Sequence, residues 1–149
     1  MTNDFQFLLR VRYAECDAQH VVFNARYADY ADLAVTEYFR ALLGGYKELL
    51  ARGIDNQVVK MVVEWKAPAR FDDVLCISVK LKHMGNTSFT VQFAFYEQSA
   101  MRHLADAEIV YVVVDAKTYQ KMPIPPDMRS ALERGAPGVV VNQSGLALV

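Results

Sequence analysis

The chain has 149 residues, 53% of them apolar, with a formal net charge of −1 and a pI of about 6.3. This length is typical of one domain, and the balanced charge lacks the basic excess of nucleic-acid-binding proteins, so we expect no nucleic-acid partner. Two cysteines, Cys16 and Cys76, are too few for a disulfide framework. No signal-peptide pattern and no membrane-length apolar run occurs, so we expect a cytoplasmic protein with reduced thiols.

The first half of the chain predicts a strand followed by a long helix. Apolar and polar residues alternate from Phe5 to Tyr13, which indicates a strand. Residues 14–23 have no regular pattern and read as a loop. From Asn24 to Leu43 the apolar residues recur at helical spacing, and Asn24 is a candidate N-cap because its side chain can accept a hydrogen bond from an unpaired helix amide.

The second half is mainly β in character. A short helix is predicted over 46–52, four strands over 57–69, 74–83, 87–97 and 104–115, and a terminal helix over 127–134. We expect the four strands to form a meander, and the whole to be an α+β fold, with an antiparallel sheet wrapped around the long helix. We assign residues 1–134 to one domain and 135–149 to a C-terminal tail with little pattern, which we expect to be mobile.

The segment "CDAQH" places three candidate functional side chains within five residues: Cys16, Asp17 and His20. A metal site is not predicted, because zinc sites use three or four ligands and no donor pattern surrounds His83 or His103. A Cys16 nucleophile would require a base and a lowered pKa, and a packing role is simpler. From the residues alone, His20 is a solvated loop residue and Asp17 a turn-forming aspartate.

Common catalytic motifs are missing from the sequence. There is no G-x-S-x-G nucleophile elbow, no P-loop and no G-x-G-x-x-G. Ser88 in "GNTSF" lies at the start of a predicted strand without a nearby base. We therefore predict neither a serine hydrolase nor a bound cofactor.

A collinear set of motifs does resemble a known family. It comprises Tyr13-x-x-x-Asp17, Val21-Val22-Phe23, Tyr27 and Tyr30, Asp32 and Glu37, "PARFDD" from Pro68, "MGNTSF" from Met84, and "VVVDAKTYQKMPIPPDMR" from Val112. From Phe7 to about Glu133 the chain resembles the hotdog-fold acyl-CoA thioesterases of the 4-hydroxybenzoyl-CoA thioesterase and YbgC-like branch. Two departures are His20, where the family usually has glycine, and Asn24, where YbgC-type members often have histidine.

The resemblance implies a catalytic site. Asp17 would act as general base or as nucleophile, and an amide near Asn24 at the helix start would donate to the carbonyl oxygen. The Asn24 side chain has two competing roles, capping the helix or orienting water and carbonyl. Asp32 is a reserve carboxylate with a supporting role.

The resemblance also implies a substrate and an assembly. Acyl-CoA would be hydrolysed at the seam of a homodimer whose sheets pair edge to edge, with a dimer of dimers expected. The implied substrate-binding residues are Tyr13, His20, Phe23, Tyr27, Trp65, Asn86, Thr87 and Ser88. Candidates for CoA phosphates, or equally solvated surface charges, are Arg70, Lys82 and Arg102. Alternatives are an acyl-carrier-protein thioesterase and a non-catalytic acyl-CoA-binding module.

Overall fold

The computed structural model describes residues 3–148, which form six strands and three α-helices. In chain order they are β1 (Phe5–Arg10), α1 (Arg26–Leu43), α2 (Tyr46–Ala51), β2 (Ile54–Trp65), β3 (Val74–Met84), β4 (Ser88–Glu97), β5 (Arg102–Asp115), α3 (Pro126–Arg134) and β6 (Val140–Asn142). A 3-10 turn over Tyr13–Glu15 follows β1. The element types match the sequence prediction, apart from this turn and β6.

The strands form one sheet in the order β2-β5-β4-β3-β1-β6. All neighbours are antiparallel except β1 and β6, which run parallel. The predicted meander is correct for β3, β4 and β5 but wrong for β2, which pairs with β5 at the far edge. The connection over 66–73 carries the chain across the sheet, and local alternation does not determine which strand becomes the neighbour.

The core lies between α1 and the inner face of the sheet. Buried α1 residues recur at helical spacing: Tyr27, Tyr30, Ala31, Ala34, Val35, Tyr38 and Phe39. They face fully buried alternate positions of β4, which are Phe89, Val91, Phe93 and Phe95. Because strand residues alternate between faces, the residues between these form the outer face. The predicted sheet around one long helix is confirmed.

The start of α1 differs from the prediction. The N-cap is Ala25, whose backbone is already helical at φ −67° and ψ −19°, and no side chain caps this end. Asn24 lies one residue earlier, in a turn where Phe23 O accepts the Arg26 N–H at 2.9 Å. The predicted N-cap role of Asn24 is therefore wrong, because a capping side chain needs an extended backbone directly before the helix.

The C-terminal tail is more regular than its sequence pattern indicates. Strand β6 lies along β1, and Gln143 N–H donates to Leu8 O at 2.8 Å. Arg10 Nε donates to Ser144 O at 3.0 Å, and Ser144 is buried. The tail therefore covers the β1 edge of the sheet with a three-residue strand, and β2 is the long edge strand. The boundary at residue 134 stays a prediction.

Candidate functional site

Residues 15–23 form a loop that folds back on itself in front of α1. Phe23 N–H donates to Glu15 O at 2.9 Å, and Asp17 N–H donates to Val21 O at 2.9 Å. These two bonds close the loop like the rungs of a short hairpin. As a result Asp17 lies opposite Val21, and the predicted approach of its carboxylate to the start of α1 stays a prediction.

Glu15 anchors this loop to the helix. Its carboxylate accepts hydrogen bonds from Arg12 N at 2.8 Å, from the Arg12 guanidinium at 2.7 and 3.0 Å, and from Tyr30 Oη at 2.9 Å. Burial alone would raise the pKa of Glu15, but the hydrogen bonds from Arg12 and Tyr30 outweigh it and lower that pKa. Sequence analysis missed Glu15, although its spacing from Arg12 suits a capping box.

Replacing Glu15 with alanine is expected to lower the free energy of unfolding by about 1–3 kcal/mol, because the buried Tyr30 hydroxyl loses its acceptor. Urea denaturation measures this loss as a lower midpoint with an unchanged slope. In a Tyr30→Phe background, which lacks the hydroxyl donor, Glu15→Ala should lower the free energy of unfolding much less. If Glu15→Ala lowered the free energy of unfolding equally in both backgrounds, the result would contradict the stabilising role of the hydrogen bond from Tyr30 to Glu15.

The lowered pKa of Glu15 also predicts how the difference in stability between wild type and Glu15→Gln depends on pH. A carboxylate whose pKa is lowered on folding stabilises the protein above its unfolded pKa, which is about 4.5. That contribution is lost as the pH falls through the lower folded pKa. The stability gap between wild type and Glu15→Gln should therefore shrink as the pH drops below about 4.5.

Asp17 borders an open cavity of about 420 Å³, which we call the Asp17 cavity. Its lining consists of Tyr13, Cys16, Asp17, Ala18, His20 and Phe71. The Tyr13 and Phe71 rings pack edge to face with centroids 6.0 Å apart, and they are 81% and 55% exposed. Phe71 was not predicted as a site residue, although it lies within the "PARFDD" motif.

The surroundings of Asp17 leave it free for chemistry. Its Oδ1 accepts the Gln19 N–H at 2.8 Å, and its backbone oxygen accepts the His20 N–H at 3.0 Å. The turn-forming role is thus real. Within residues 3–148 its second carboxylate oxygen, Oδ2, has no hydrogen-bond donor. Asp17 therefore combines a fixed orientation with an available oxygen.

Cys16 is a poor nucleophile. Its Sγ is half-buried and donates to Arg12 O at 3.8 Å. Burial raises the pKa of the thiol, and the charges of Glu15 and Asp17 raise it further. Since the thiolate is the reactive form, this environment favours the predicted packing role.

Unpaired backbone amides lie just before α1. Among the described residues, no acceptor pairs with the N–H groups of Asn24 and Ala25, and both residues are exposed. Amides at a helix start attract negative charge. The Asn24 side chain makes no hydrogen bond within the described chain, so of its two predicted roles only the orienting one stays a prediction.

Two exposed aromatic side chains lie by the helix start: Phe23 shortly before α1 in the chain, and Trp65 of β2 in contact with Tyr27. Phe23 is 47% and Trp65 53% exposed, and either could touch a ligand. Tyr27 is 2% exposed and packs against Phe95 at 5.5 Å and against Trp65 at 6.3 Å. Tyr27 is thus a core residue beneath Trp65, and its predicted contact with substrate stays a prediction.

The turn with Asn86, Thr87 and Ser88 lies far from Asp17 within one chain. Ser88 pairs with Val112 of β5, whereas Trp65 pairs with Ala105. This separation of seven β5 residues corresponds to roughly 23 Å at about 3.3 Å per residue. A single chain does not bring this turn to the Asp17 cavity.

The three basic residues predicted as candidates for binding CoA phosphates lie in different parts of the fold. Arg70 forms a β-bridge with Val21, beside the Asp17 loop. Arg102 starts β5 and its positive charge lowers the pKa of Glu97, alongside hydrogen bonds from Ser99 and Ala100. Lys82 is paired with Glu108 on the outer face of the sheet. Arg70 is therefore the candidate adjacent to the site.

A second cavity, of about 630 Å³, lies elsewhere. It is on the outer face of the sheet, over the short side chains of Cys76, Ser78 and Ala94. Burial raises the pKa of the Cys76 thiol to about 11. Its lining includes no residue of the loop that carries Asp17, so the smaller Asp17 cavity is the better candidate site.

Two further predictions concern metals and membranes. Across the part of the chain that the structure describes, no three histidine, cysteine or acidic side chains gather as a metal site would require. The helices of this part are too short or too polar to span a membrane. The absence of a cofactor and the cytoplasmic location stay predictions.

Comparisons with known proteins agree on one family. The family model described as thioesterase-like superfamily matches residues 11–132. The acyl-CoA thioester hydrolase YbgC of Escherichia coli O6:H1 is 35% identical over 116 residues, which cover 76% of this chain and 84% of that protein. The acyl-CoA thioesterase YbgC of Haemophilus influenzae is 28% identical over 88% of this chain and 96% of its own length.

The fold has a close match among solved structures. A hypothetical protein from Aquifex aeolicus superposes with a TM-score of 0.80 at 23% identity, covering 86% of this chain and 98% of its own. Together with the sheet around α1, this match confirms the predicted hotdog fold.

Proposed function

Because the chain belongs to the thioesterase-like superfamily, we propose that it is an acyl-CoA thioesterase with Asp17 as its catalytic carboxylate. The main support is one observation: a carboxylate oriented by the Gln19 N–H borders an open cavity, in a loop that leads directly to the unpaired amides before α1. Names of two relatives, an acyl-CoA thioester hydrolase and an acyl-CoA thioesterase, favour the same substrate class.

The reaction needs an attack on the thioester carbonyl carbon. Asp17 either takes a proton from the attacking water or attacks the carbon itself, which gives a mixed anhydride that water then cleaves. In both routes the C–S bond breaks, CoA leaves as a thiolate that takes up a proton, and the acid is released. General base catalysis of this kind typically contributes about 10²–10⁴-fold.

Negative charge develops on the carbonyl oxygen during the attack. The free N–H groups of Asn24 and Ala25 suit this charge, because they precede α1 and add to its dipole. One such donor typically contributes about 2.7–4 kcal/mol of transition-state stabilisation. The acyl group then extends toward Phe23 and Trp65, which are exposed on the β2 side.

The active unit in this proposal is a homodimer joined through β2. This strand is the open edge of the sheet and exposes apolar side chains, which are Val58, Val59, Met61, Val62 and Trp65. Exposed apolar edges of this length pair readily with another strand. Two copies of β2 running antiparallel would continue the sheet from one subunit into the next.

Dimerisation would also complete the site. Antiparallel pairing places the Ile54 end of β2 in one subunit beside the Trp65 end in the other. The turn over 86–88 lies at the Ile54 end, since Ser88 and Gln57 both pair with Val112. The partner's turn would thus approach the Asp17 cavity that its own chain cannot reach.

The proposal is tested by hydrolysis with wild-type protein. We expect release of free CoA thiol from a panel of short, long and aromatic acyl-CoAs, followed with a thiol reagent. The same acyl groups on acyl carrier protein should react more slowly, since the balanced charge gives no basic docking rim for that acidic partner. Tight binding of acyl-CoA without thiol release would reject the proposal in favour of a binding module.

A further inference from the structure

We propose that His20 is a substrate-binding residue that contacts the thiol arm of CoA at the Asp17 cavity. This proposal rests on the proposed function, because it assumes that a thioester lies at Asp17. It goes further by assigning one part of the substrate to one side of the cavity.

His20 has a backbone conformation that glycine adopts most easily. Its φ is +64°, in the left-handed region that most side chains avoid. The turn itself is closed by the backbone bond from His20 N–H to Asp17 O, which glycine would make equally well. The imidazole is therefore not needed to form the turn.

The His20 side chain is free and borders the cavity. It is exposed, and within residues 3–148 it makes no hydrogen bond. It shares the cavity wall with Asp17 and with the exposed rings of Tyr13 and Phe71. One wall therefore offers two largely apolar rings and one ring that can both donate and accept a hydrogen bond.

This mixture fits the thiol arm of CoA. That arm alternates short methylene segments with amide groups, so it needs apolar contacts and a hydrogen-bonding group close together. A cavity of about 420 Å³ can hold the thiol arm but not the whole CoA molecule. The nucleotide end of CoA is separated from the sulfur by this arm, so it lies beyond the cavity.

The opposite direction suits the acyl group. A thioester bound at Asp17 extends two ways, and we assign the other way to the side of the helix start, where Trp65 is exposed and contacts Tyr27 of α1. The wall with His20 offers a hydrogen-bonding ring, and Arg70 lies beside its loop through its bridge with Val21. The polar CoA side therefore lies at His20 and the acyl side at Trp65.

Calorimetric titration with free CoA tests the proposal without hydrolysis. We expect His20→Gly to weaken the Kd for CoA by about five- to tenfold, the ratio that one neutral hydrogen bond contributes. His20→Asn should recover part of the affinity, because its amide can hydrogen-bond and it tolerates the left-handed backbone. Tyr119→Gly is the matched control, since Tyr119 is exposed with φ +59° in a turn on β5's far end.

Thermal unfolding and kinetics complete the design. His20→Gly should unfold at the same temperature as wild type or higher, which verifies that the turn is intact. KM for acyl-CoA should rise by the same factor for every acyl group, with kcat changed less than about twofold.

Three results would overturn the role of His20: no CoA binding by wild type, unchanged CoA affinity in folded His20→Gly, or a KM change that depends on the acyl group. The last would place the acyl group in the cavity instead. If CoA binding falls as expected but no thioester is hydrolysed, the arm site stands and the thioesterase proposal fails.

Discussion

Replacing Asp17 with asparagine is expected to lower kcat for acyl-CoA hydrolysis by about 10²–10⁴-fold while leaving the fold and the oligomer intact. The amide oxygen of asparagine can still accept the Gln19 N–H that Asp17 Oδ1 accepts at 2.8 Å. The turn therefore persists, but the neutral side chain can neither take a proton from water nor attack the thioester. Thiol release measures the rate, and thermal unfolding verifies the fold.

Two comparisons sharpen this test. Asp17→Ala removes both charge and turn acceptor, so it should lose activity to the same extent and also some stability, by about 0.5–1.5 kcal/mol. Asp32→Asn is the matched carboxylate control, because the Asp32 charge acts on Tyr46 and Tyr111 and not on the Asp17 loop. If Asp32→Asn were inactive and Asp17→Asn active, Asp32 would be the catalytic carboxylate instead of Asp17.

The elements of this fold are readable from sequence because burial imposes their periods. The alternation along β4 and the helical spacing along α1 both follow from having one covered face. Pairing partners are harder, because β2 joins β5 through contacts between residues far apart in the chain. Strand β6 has three residues and forms by lying on β1, so no local pattern could have indicated it.

The site shows the same division between local and long-range information. The turn at Asp17 is a local property, and the sequence indicates it correctly. The hypothesis that Asp17 is catalytic rests on the family resemblance, because no local sequence pattern shows which distant residues lie beside it. The N-cap prediction at Asn24 is wrong, since a capping side chain is only useful where the backbone is extended, and here the turn at 23–26 is already helical. Phe71 reaches the cavity only through tertiary folding.

The second large effect is expected from a charge on the open edge of the sheet. Val59→Lys should convert the dimer to a monomer and lower kcat/KM for acyl-CoA by about a hundredfold or more, because the Asp17 cavity loses the groups that the partner supplies. Val59 is 58% exposed at the register irregularity of β2, and lysine on an edge strand opposes strand pairing. Light scattering after size exclusion gives the mass, and thiol release gives the rate.

The opposite edge of the same sheet provides the matched control. Val140 of β6 is 45% exposed, so Val140→Lys makes the same chemical change on an edge strand that the proposal leaves unpaired. This variant should stay dimeric and active, whereas Asp17→Asn should stay dimeric but lose its activity. A Val59→Lys protein that stays dimeric would move the interface away from β2. A monomer with full activity would show that one chain holds the complete site, and the distant turn at 86–88 would then have no part in it.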